Sequence, residues 1–246
     1  MVHVPKLLRV VDICYNARFI ICVKVNKAID KHRNSAYNSM DQVNLRGAKM
    51  DTISKLQSIA KNNGGIITTS EAAEAGISRA LLWKLNNENK IQRIARGQYI
   101  FEDNIQDELL SIGLRSDKII FSHETALYLH GISDRTPFEH TLTVPTGNIP
   151  SAVVQSEYKM YFIKPELHDL GRTLLKTPFG NEVSCYDLER TICDIVRSRN
   201  KIGTETFLAA LKAYAARPDK NLNRLYSYAK QLRISGILRK YLEVLL

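Results

Sequence analysis

The sequence predicts an α+β protein: an N-terminal winged helix-turn-helix followed by a mixed α+β domain with a helical C-terminal third. Residues 64–101 follow the order helix, tight turn, helix, hairpin. Short strand-like and helical stretches then alternate, and a helical apolar period dominates after Tyr186. We therefore expect three segments: a poorly structured leader over 1–49, a DNA-binding domain over 50–103 and an α+β domain over 104–246.

The leader differs from the rest of the chain in charge and patterning. It carries nine Lys and Arg residues against three Asp, so it supplies +6 of the formal net charge of +10. Its apolar residues show no clean period, whereas a well-formed helix is predicted to open at Met50-Asp51. Met50 is therefore a candidate natural start, which would make the leader non-native. A genuine but poorly ordered extension is the alternative.

The bulk composition favours a cytoplasmic protein with a polyanionic partner. A charged fraction of 24% is ordinary for a globular protein, and the positive net charge favours nucleic acid. The apolar run at 19–25 is shorter than the roughly 18 residues of a membrane span, and no signal-peptide cleavage site follows it. The sequence therefore predicts no membrane partner.

The four cysteines favour free buried thiols over a metal site. Cys14, Cys22, Cys185 and Cys193 contain no C-x-x-C pair and have no adjacent His cluster. Structural zinc needs such closely spaced ligands. We expect no zinc and no cofactor, with Cys185 and Cys193 in one buried stripe beside Ile192 and Val196.

The N-terminal elements are predicted in order from capping and turn signals. Apolar positions spaced by three and four over 51–62 predict an amphipathic helix, which the NNGG string from Asn62 ends. Thr68 and Glu71 have capping-box spacing for a helix over Ser70–Ala75, and Gly76 suits a sharp turn.

A second helix and a hairpin complete the predicted winged helix. Ser78 is the expected N-cap of the helix Arg79–Asn89. Alternating strands over Ile91–Ala95 and Gln98–Phe101 surround Arg96-Gly97, which is a hairpin signal.

The second half is expected to mix short strands with helices. Strands are predicted over Lys118–Phe121, Thr141–Val144, Lys159–Ile163 and Val183–Ser184. Helices are predicted over 105–115, from Ser122 to His130, and over 187–199, 204–216, 221–233 and 236–245.

The second helix of a helix-turn-helix lies in the DNA major groove, and the first helix braces it. We expect Leu82 and Leu85 to pack on Ala72, Ala73 and Ile77. The predicted DNA contacts are Thr69, Ser78, Arg79, Trp83, Lys84, Arg93, Arg96 and Gln98.

The predicted contacts fall into different roles. Arg79 has the planar fork that can grip guanine, while Thr69, Ser78 and Lys84 suit phosphate. Arg96 suits the minor groove at the wing tip, flanked by Arg93 and Gln98. Trp83 suits either sugar-phosphate contact or the edge of the core.

Three motifs together resemble one family. The segment GISRALLWKLNNENKIQRIARGQYIF, the string FSHETALYLHGISD at 121–134 and the string YDLERTICDIV at 186–196 are similar to AbiEi-type antitoxins of type IV, abortive-infection toxin–antitoxin systems of phage defence. The resemblance covers about residues 50–246. It implies a transcriptional autorepressor that binds promoter repeats through its winged helix. It also implies a C-terminal domain that neutralises a co-encoded nucleotidyltransferase-like toxin without a stable complex.

Three other functions compete with this interpretation. A metal-dependent nuclease would use Asp187, Glu189 and Asp194, although alternating charges there favour a solvated or ion-paired helix face. A winged helix can also be a protein-binding scaffold or belong to a regulator without a toxin partner. Since no phosphate-binding or nucleophile-elbow motif is present, we expect no enzyme activity.

Two further features have alternative explanations. His123 and His130 lie on nearly one helix face, and packing or capping is favoured over a metal or catalytic role. The C-terminal helices are basic and contain four Tyr residues, which suits nucleic-acid contact or a packed bundle with solvated cations, and we favour the bundle. The Tyr residues are Tyr214, Tyr226, Tyr228 and Tyr241.

Overall fold

The computed structural model describes residues 41–133, 135–148 and 150–243, with the side chains of 41–50 left out of the description. The chain divides into two compact units, Met1–Ser58 and Ile59–Leu246. Expectations for residues 1–40, including those for Cys14 and Cys22, lie outside the described residues. The predicted leader and domain boundaries therefore remain predictions.

The first described helix, α1, spans Asp41–Asn62 and begins earlier than Met50-Asp51. The apolar period did not reveal this start because residues 41–49 have no repeating apolar spacing. A helix can propagate without an amphipathic face once its first turn has formed. Its end at Asn62 agrees with the predicted stop, and Gly64 and Gly65 follow with positive φ.

The next five elements form a winged helix-turn-helix, as predicted. They are β1 (Ile66–Thr68), α2 (Thr69–Glu74), α3 (Arg79–Asn87), β2 (Gln92–Ala95) and β3 (Gln98–Ile100). The three strands form one antiparallel sheet in the order β1-β3-β2. The hairpin β2–β3 turns at Arg96-Gly97, and a bulge lies between Arg93 and Ala95.

Local signals explain where α2 and α3 begin. The Thr68 hydroxyl accepts from the Glu71 amide at 3.3 Å, and a Glu71 carboxylate oxygen accepts from the Thr68 amide at 3.3 Å, which completes the predicted capping box. Gly76 has φ of +77° in the turn between the helices. Ser78 caps α3 by accepting from the Leu81 amide at 3.3 Å.

A five-stranded mixed sheet lies at the centre of the second half. Its order is β6-β5-β4-β8-β7, with β5–β6 and β4–β8 parallel and the other pairs antiparallel. The strands are β4 (Ile120–Phe121), β5 (Thr141–Pro145), β6 (Lys159–Ile163), β7 (Arg172–Lys176) and β8 (Glu182–Tyr186).

Helices connect these strands and form the C-terminal third. They are α4 (Glu108–Gly113), α5 (His123–Leu129), α6 (Ala152–Glu157), α7 (Pro165–His168), α8 (Leu188–Arg197), a 3-10 helix (Arg199–Lys201), α9 (Thr204–Ala216), α10 (Leu222–Gln231) and α11 (Ser235–Leu242). The sequence patterns do not predict β7, α6 or α7. The two helices have six and four residues, too few for an apolar period to be recognised.

Two hydrophobic clusters hold residues 59–246 together. One joins α8 to the three helices that follow it, through residues such as Ile192, Leu211 and Leu238. The other joins Ile66 of the winged helix to Phe121 and Val183 of the five-stranded sheet. The predicted boundary between residues 103 and 104 therefore falls inside one compact unit.

Candidate nucleic-acid interface

Helix α3 has one buried face and one exposed cationic face. Leu82 and Leu85 are buried, whereas Arg79, Trp83 and Lys84 are exposed. This separation follows from the helical period, which puts neighbouring residues about 100° apart around the axis. Trp83 is 64% exposed, so it lies on the outer face and does not close the edge of the core.

One of the residues predicted to pack against Leu82 and Leu85 is not in the core. Ala72 and Ile77 are buried as expected, but Ala73 is exposed. Because adjacent residues of a helix point in different directions, a helix of six residues buries only one of the two alanines. Of the two alanines, only Ala72 is therefore part of the core.

The wing presents Arg96 to solvent at its tip. Gly97 follows with φ of +75°, a conformation that suits glycine, and its carbonyl accepts from the Thr69 amide at 2.8 Å. A Cβ at Gly97 would lie 3.0 Å from the Thr69 hydroxyl oxygen. Thr69, at the start of α2, is therefore in close contact with the wing.

Arg93 is exposed, and two of its nitrogen atoms donate hydrogen bonds. Its backbone amide donates to the Asn86 side-chain oxygen at 2.8 Å, and its Nε donates to the Ala95 carbonyl at 3.2 Å. Asn86 thus connects α3 to the wing. This role cannot be predicted from the sequence, because an Asn near the end of a helix gives no local sign of a partner seven residues later.

Gln98 was predicted to flank the wing-tip arginine as a DNA contact, and the structure contradicts this. Its side chain is buried, with Nε2 donating to the Ser111 carbonyl at 2.9 Å. The Ser111 hydroxyl donates to Gln98 Oε1 at 2.6 Å. Both polar atoms of the side-chain amide are hydrogen-bonded to Ser111 of α4, so Gln98 connects the wing to the second half of the unit.

Ser78 keeps a free donor after capping α3. Its oxygen accepts from the Leu81 amide, and its O–H remains able to donate to a phosphate oxygen. Residues 50–101 carry seven Lys and Arg residues against four Asp and Glu, a formal excess of three positive charges. The structure places Arg79, Lys84, Arg93 and Arg96 on exposed positions.

The two histidines of α5 have structural partners. His123 is buried and shares hydrogen bonds with the Ser122 and Ser198 hydroxyls at 2.9 and 3.0 Å. Burial lowers its pKa well below the usual value, and nearby cations lower it further. His130 Nε2 lies 2.9 Å from the Tyr186 carbonyl oxygen, and burial also lowers the His130 pKa.

The carboxylates of the nuclease alternative are occupied by protein donors. Asp187 accepts from the Arg190 amide at 2.8 Å, Glu189 accepts from the Asn221 amide at 2.9 Å, and Asp194 accepts from Arg190 Nε at 3.1 Å. Across the described residues, no group of three or more His, Cys, Asp or Glu side chains is placed to hold a metal ion.

The charged residues of α8 were expected to lie on a solvated or ion-paired face; three of the four are ion-paired, and Arg197 is exposed. Glu189, Arg190 and Asp194 are all buried. The Arg190 guanidinium lies 4.2 Å from the centre of the Tyr186 ring and donates to the Leu167 and Leu170 carbonyls. Arg190 therefore has a structural role in this helix. Its loss would leave the buried Asp194 carboxylate without a compensating positive charge.

Cys185 and Cys193 are free and buried, as predicted, but they do not share one stripe. Cys193 lies in the cluster with Ile192 and Val196, whereas Cys185 lies in the cluster of the five-stranded sheet. Burial raises the pKa of both thiols, which disfavours the reactive thiolate.

The tyrosines of the C-terminal helices are mostly engaged in packing. Tyr214 is fully buried, Tyr241 meets the Phe207 ring edge-on at 4.9 Å, and the Tyr228 hydroxyl donates to Asp187 at 2.9 Å. Tyr226 is 36% exposed. This arrangement favours the packed bundle over a nucleic-acid surface built on tyrosines.

The fold, the exposed cationic face of α3 and the wing-tip arginine define a winged helix-turn-helix module with an exposed cationic surface. Residues 54–101 match the model of a family described as "Transcriptional regulator, AbiEi antitoxin". Over these residues the chain is therefore similar to the AbiEi antitoxin family of transcriptional regulators, as its motifs indicated. The motifs at 121–134 and 186–196 lie outside the matched residues.

A solved structure supports the α+β fold. The crystal structure of the RV2827C protein from Mycobacterium tuberculosis is similar, with a TM-score of 0.55 and 16% sequence identity. The similarity covers 78% of this chain and 77% of that chain, and it concerns the fold alone. A comparison with curated proteins gave no match. Among the helices described here, none is both long and apolar enough to cross a membrane.

Proposed function

We propose that this protein represses its own operon by binding double-stranded promoter DNA, at repeated sites, through the winged helix. One observation carries the proposal. The exposed face of α3 holds Arg79, Trp83 and Lys84, while Leu82 and Leu85 anchor the opposite face in the core. An anchored helix with an exposed cationic face suits insertion into the major groove.

The proposed contacts divide into base reading and positioning. Arg79, in the first turn of α3, would read a guanine edge through two parallel hydrogen bonds. Thr69, Ser78 and Lys84 would contact phosphates, and Trp83 would lie against the sugar-phosphate backbone. Arg96 would enter the minor groove from the wing tip, with Arg93 beside it. Gln98 is left out of this set because it is buried.

We further propose that the protein is the antitoxin of a type IV system and acts in the cytoplasm. Its second half would counteract a co-encoded nucleotidyltransferase-like toxin without a stable complex. The family description, which names both a regulator and an antitoxin, supports this proposal. The structural roles of the carboxylates on α8 favour a protein that is not an enzyme.

The DNA-binding proposal is tested by gel shift with a duplex taken from upstream of the protein's own gene. We expect Arg79→Ala to weaken binding by about tenfold to a hundredfold, as expected for loss of a bidentate base contact. Arg96→Ala should also weaken it, and each loss should persist across a salt series. Lys176→Ala, which removes an exposed cation from β7, is the matched control. Unchanged affinity in both arginine variants would refute the contact assignment.

The antitoxin proposal needs a separate test in cells. The gene downstream of this one would be expressed alone and together with the intact chain, and growth would be measured. We expect growth arrest from the downstream gene alone and rescue by the chain. Rescue should survive Arg79→Ala when both genes are driven by an unrelated promoter, because neutralisation is assigned to the second half. If expression of the downstream gene alone does not arrest growth, the antitoxin proposal is wrong and the protein is a regulator without a toxin partner.

A further inference from the structure

Asn86, in the last turn of helix α3, holds the wing to that helix. Its side-chain oxygen accepts from the Arg93 backbone amide at 2.8 Å. Strand β2, which carries Arg93, lies at the edge of the three-stranded sheet. An edge strand has outer backbone amides without a neighbouring strand, and Asn86 accepts from one of them. The side chain therefore joins the two elements that are proposed to enter different DNA grooves.

Asn86 lies on the same face of α3 as Arg79. The two residues are seven positions apart, which is nearly two full turns of an α-helix. A rise of about 1.5 Å per residue places them about 10 Å apart along the helix axis. Trp83 lies between them on that face. The row of side chains that begins with Arg79 therefore ends at the residue that holds the wing.

Two further features fix the path of the chain from Arg93 to the wing tip. The Arg93 Nε donates to the Ala95 carbonyl at 3.2 Å, across the bulge between these two residues. Ile94, inside the bulge, packs against the hydrophobic cluster of the five-stranded sheet. A bulge changes the direction of its strand. Since Arg96 follows directly, its position depends on how Arg93 is held.

The other strand of the wing is held by contacts that do not involve α3. The Gly97 carbonyl accepts from the Thr69 amide at 2.8 Å, which attaches the wing tip to α2. The Gln98 side chain bonds to Ser111 of α4. Loss of the Asn86 side chain would therefore leave the wing folded, but would release β2 from α3.

We propose that Asn86 is a positioning residue for DNA reading, which sets the distance between Arg79 in the major groove and Arg96 in the minor groove. The inference rests on the proposed function, because it concerns the same DNA contacts. Asn86 would act through Arg93, without a base or phosphate contact of its own. Two arginines held at a fixed distance lose less freedom on binding than two that move separately, so the bond increases affinity.

The bond itself is tested without DNA, by hydrogen exchange of the full chain. We expect the Arg93 amide to exchange about two- to tenfold faster in Asn86→Ala, the range that corresponds to one hydrogen bond. Circular dichroism should be unchanged, because the wing keeps its other contacts. An unchanged exchange rate of the Arg93 amide would show that Asn86 does not hold the wing, and would overturn the proposal.

The positioning role is tested by gel shift with the promoter duplex in three backgrounds. These are the intact chain, Arg79→Ala and the double variant Arg93→Ala/Arg96→Ala, all at one low salt concentration so that the weakest still binds. The Asn86 bond uses the backbone amide of Arg93 and so survives Arg93→Ala. We expect Asn86→Ala to weaken binding about three- to tenfold in the first two backgrounds. In the double variant its effect should stay within about twofold, because a wing without its arginines has nothing to position.

Asn87→Ala is the matched control, because it removes the adjacent exposed amide of the same helix. Its effect on promoter affinity, whatever its size, should be the same in all three backgrounds. Equal losses from Asn86→Ala in all three backgrounds would make Asn86 an independent DNA contact and overturn the proposal. An unchanged affinity of Asn86→Ala in the intact chain would also overturn it.

The same gel shifts separate this proposal from the repressor function. An intact chain that does not bind the duplex overturns the repressor function, and the positioning role with it. An intact chain that binds the duplex, with an Asn86→Ala effect that does not depend on the wing arginines, overturns the role of Asn86 alone.

Discussion

At Gln98, the side chain sits in a wing strand but bonds to a helix of the second half. Its amide exchanges two hydrogen bonds with Ser111, and both residues are buried. We expect Gln98→Ala to lower the free energy of unfolding by about 1–3 kcal/mol, because it leaves a buried hydroxyl and carbonyl without their partners. Urea unfolding measures the change.

Gln92→Ala is the matched control for this prediction. Gln92 is an exposed glutamine on the neighbouring strand, so its loss should change stability by less than about 0.5 kcal/mol. An unchanged midpoint for Gln98→Ala together with a loss of promoter binding would return Gln98 to the set of DNA contacts.

The buried imidazole of His123 makes stability depend on pH. Its pKa is lowered in the folded protein, so the unfolded chain binds the extra proton first as the pH falls. His123 therefore contributes stability that is complete above the unfolded pKa of about 6.5 and is lost as the pH falls below it.

The size of this effect can be isolated with His123→Asn. Asn tolerates positive φ and does not titrate. Between pH 5 and 7 the intact protein should lose more stability than the variant, by at most about 1.4 kcal/mol per pH unit for one proton. Parallel pH profiles from urea unfolding would contradict a buried, neutral His123.

Among the secondary-structure elements, the start of α2 depends on one reciprocal cap. The Thr68 hydroxyl and the Glu71 carboxylate each satisfy a backbone amide of the other residue. We expect Thr68→Ala to cost about 1 kcal/mol of stability, as measured by chemical unfolding. Glu74→Ala, an exposed acidic residue of the same helix, should have little effect. Equal losses of stability from the two substitutions would show that the capping box does not stabilise α2.

The sequence predicted those elements that carry their own local signals. The capping box at Thr68, the glycine turn at Gly76 and the hairpin at Arg96-Gly97 each depend on residues close together in sequence. Strand β7 was not predicted because it is a half-exposed edge strand that pairs only with β8. Its existence depends on a partner strand whose position the local pattern does not give.

The same distinction applies to the candidate site. The helical period was enough to place Arg79 and Lys84 outside and Leu82 and Leu85 inside. It was not enough for Gln98, whose environment depends on Ser111, 13 residues later. Nor could it show that Glu189, Arg190 and Asp194 of α8 are buried, because their burial depends on the backbone carbonyls that meet Arg190.

Taken as a whole, the unit from Ile59 onward is held together by contacts that cross from the winged helix to the second half. Ile66 shares a hydrophobic cluster with the five-stranded sheet, and Gln98 bonds to α4. We therefore expect the two parts to unfold together. Hydrogen exchange should give the slowest amides of β3 and β8 similar opening free energies. Exchange of β3 amides at much lower free energy would show that the winged helix opens independently.

The exposed position of Trp83 has a practical consequence. It is the one tryptophan among 246 residues, and it lies on the helix face assigned to the DNA groove. An indole in water changes its emission when it stacks or loses solvent. The intrinsic fluorescence of the unlabelled protein should therefore report operator occupancy directly, in real time and without a dye attached to either molecule.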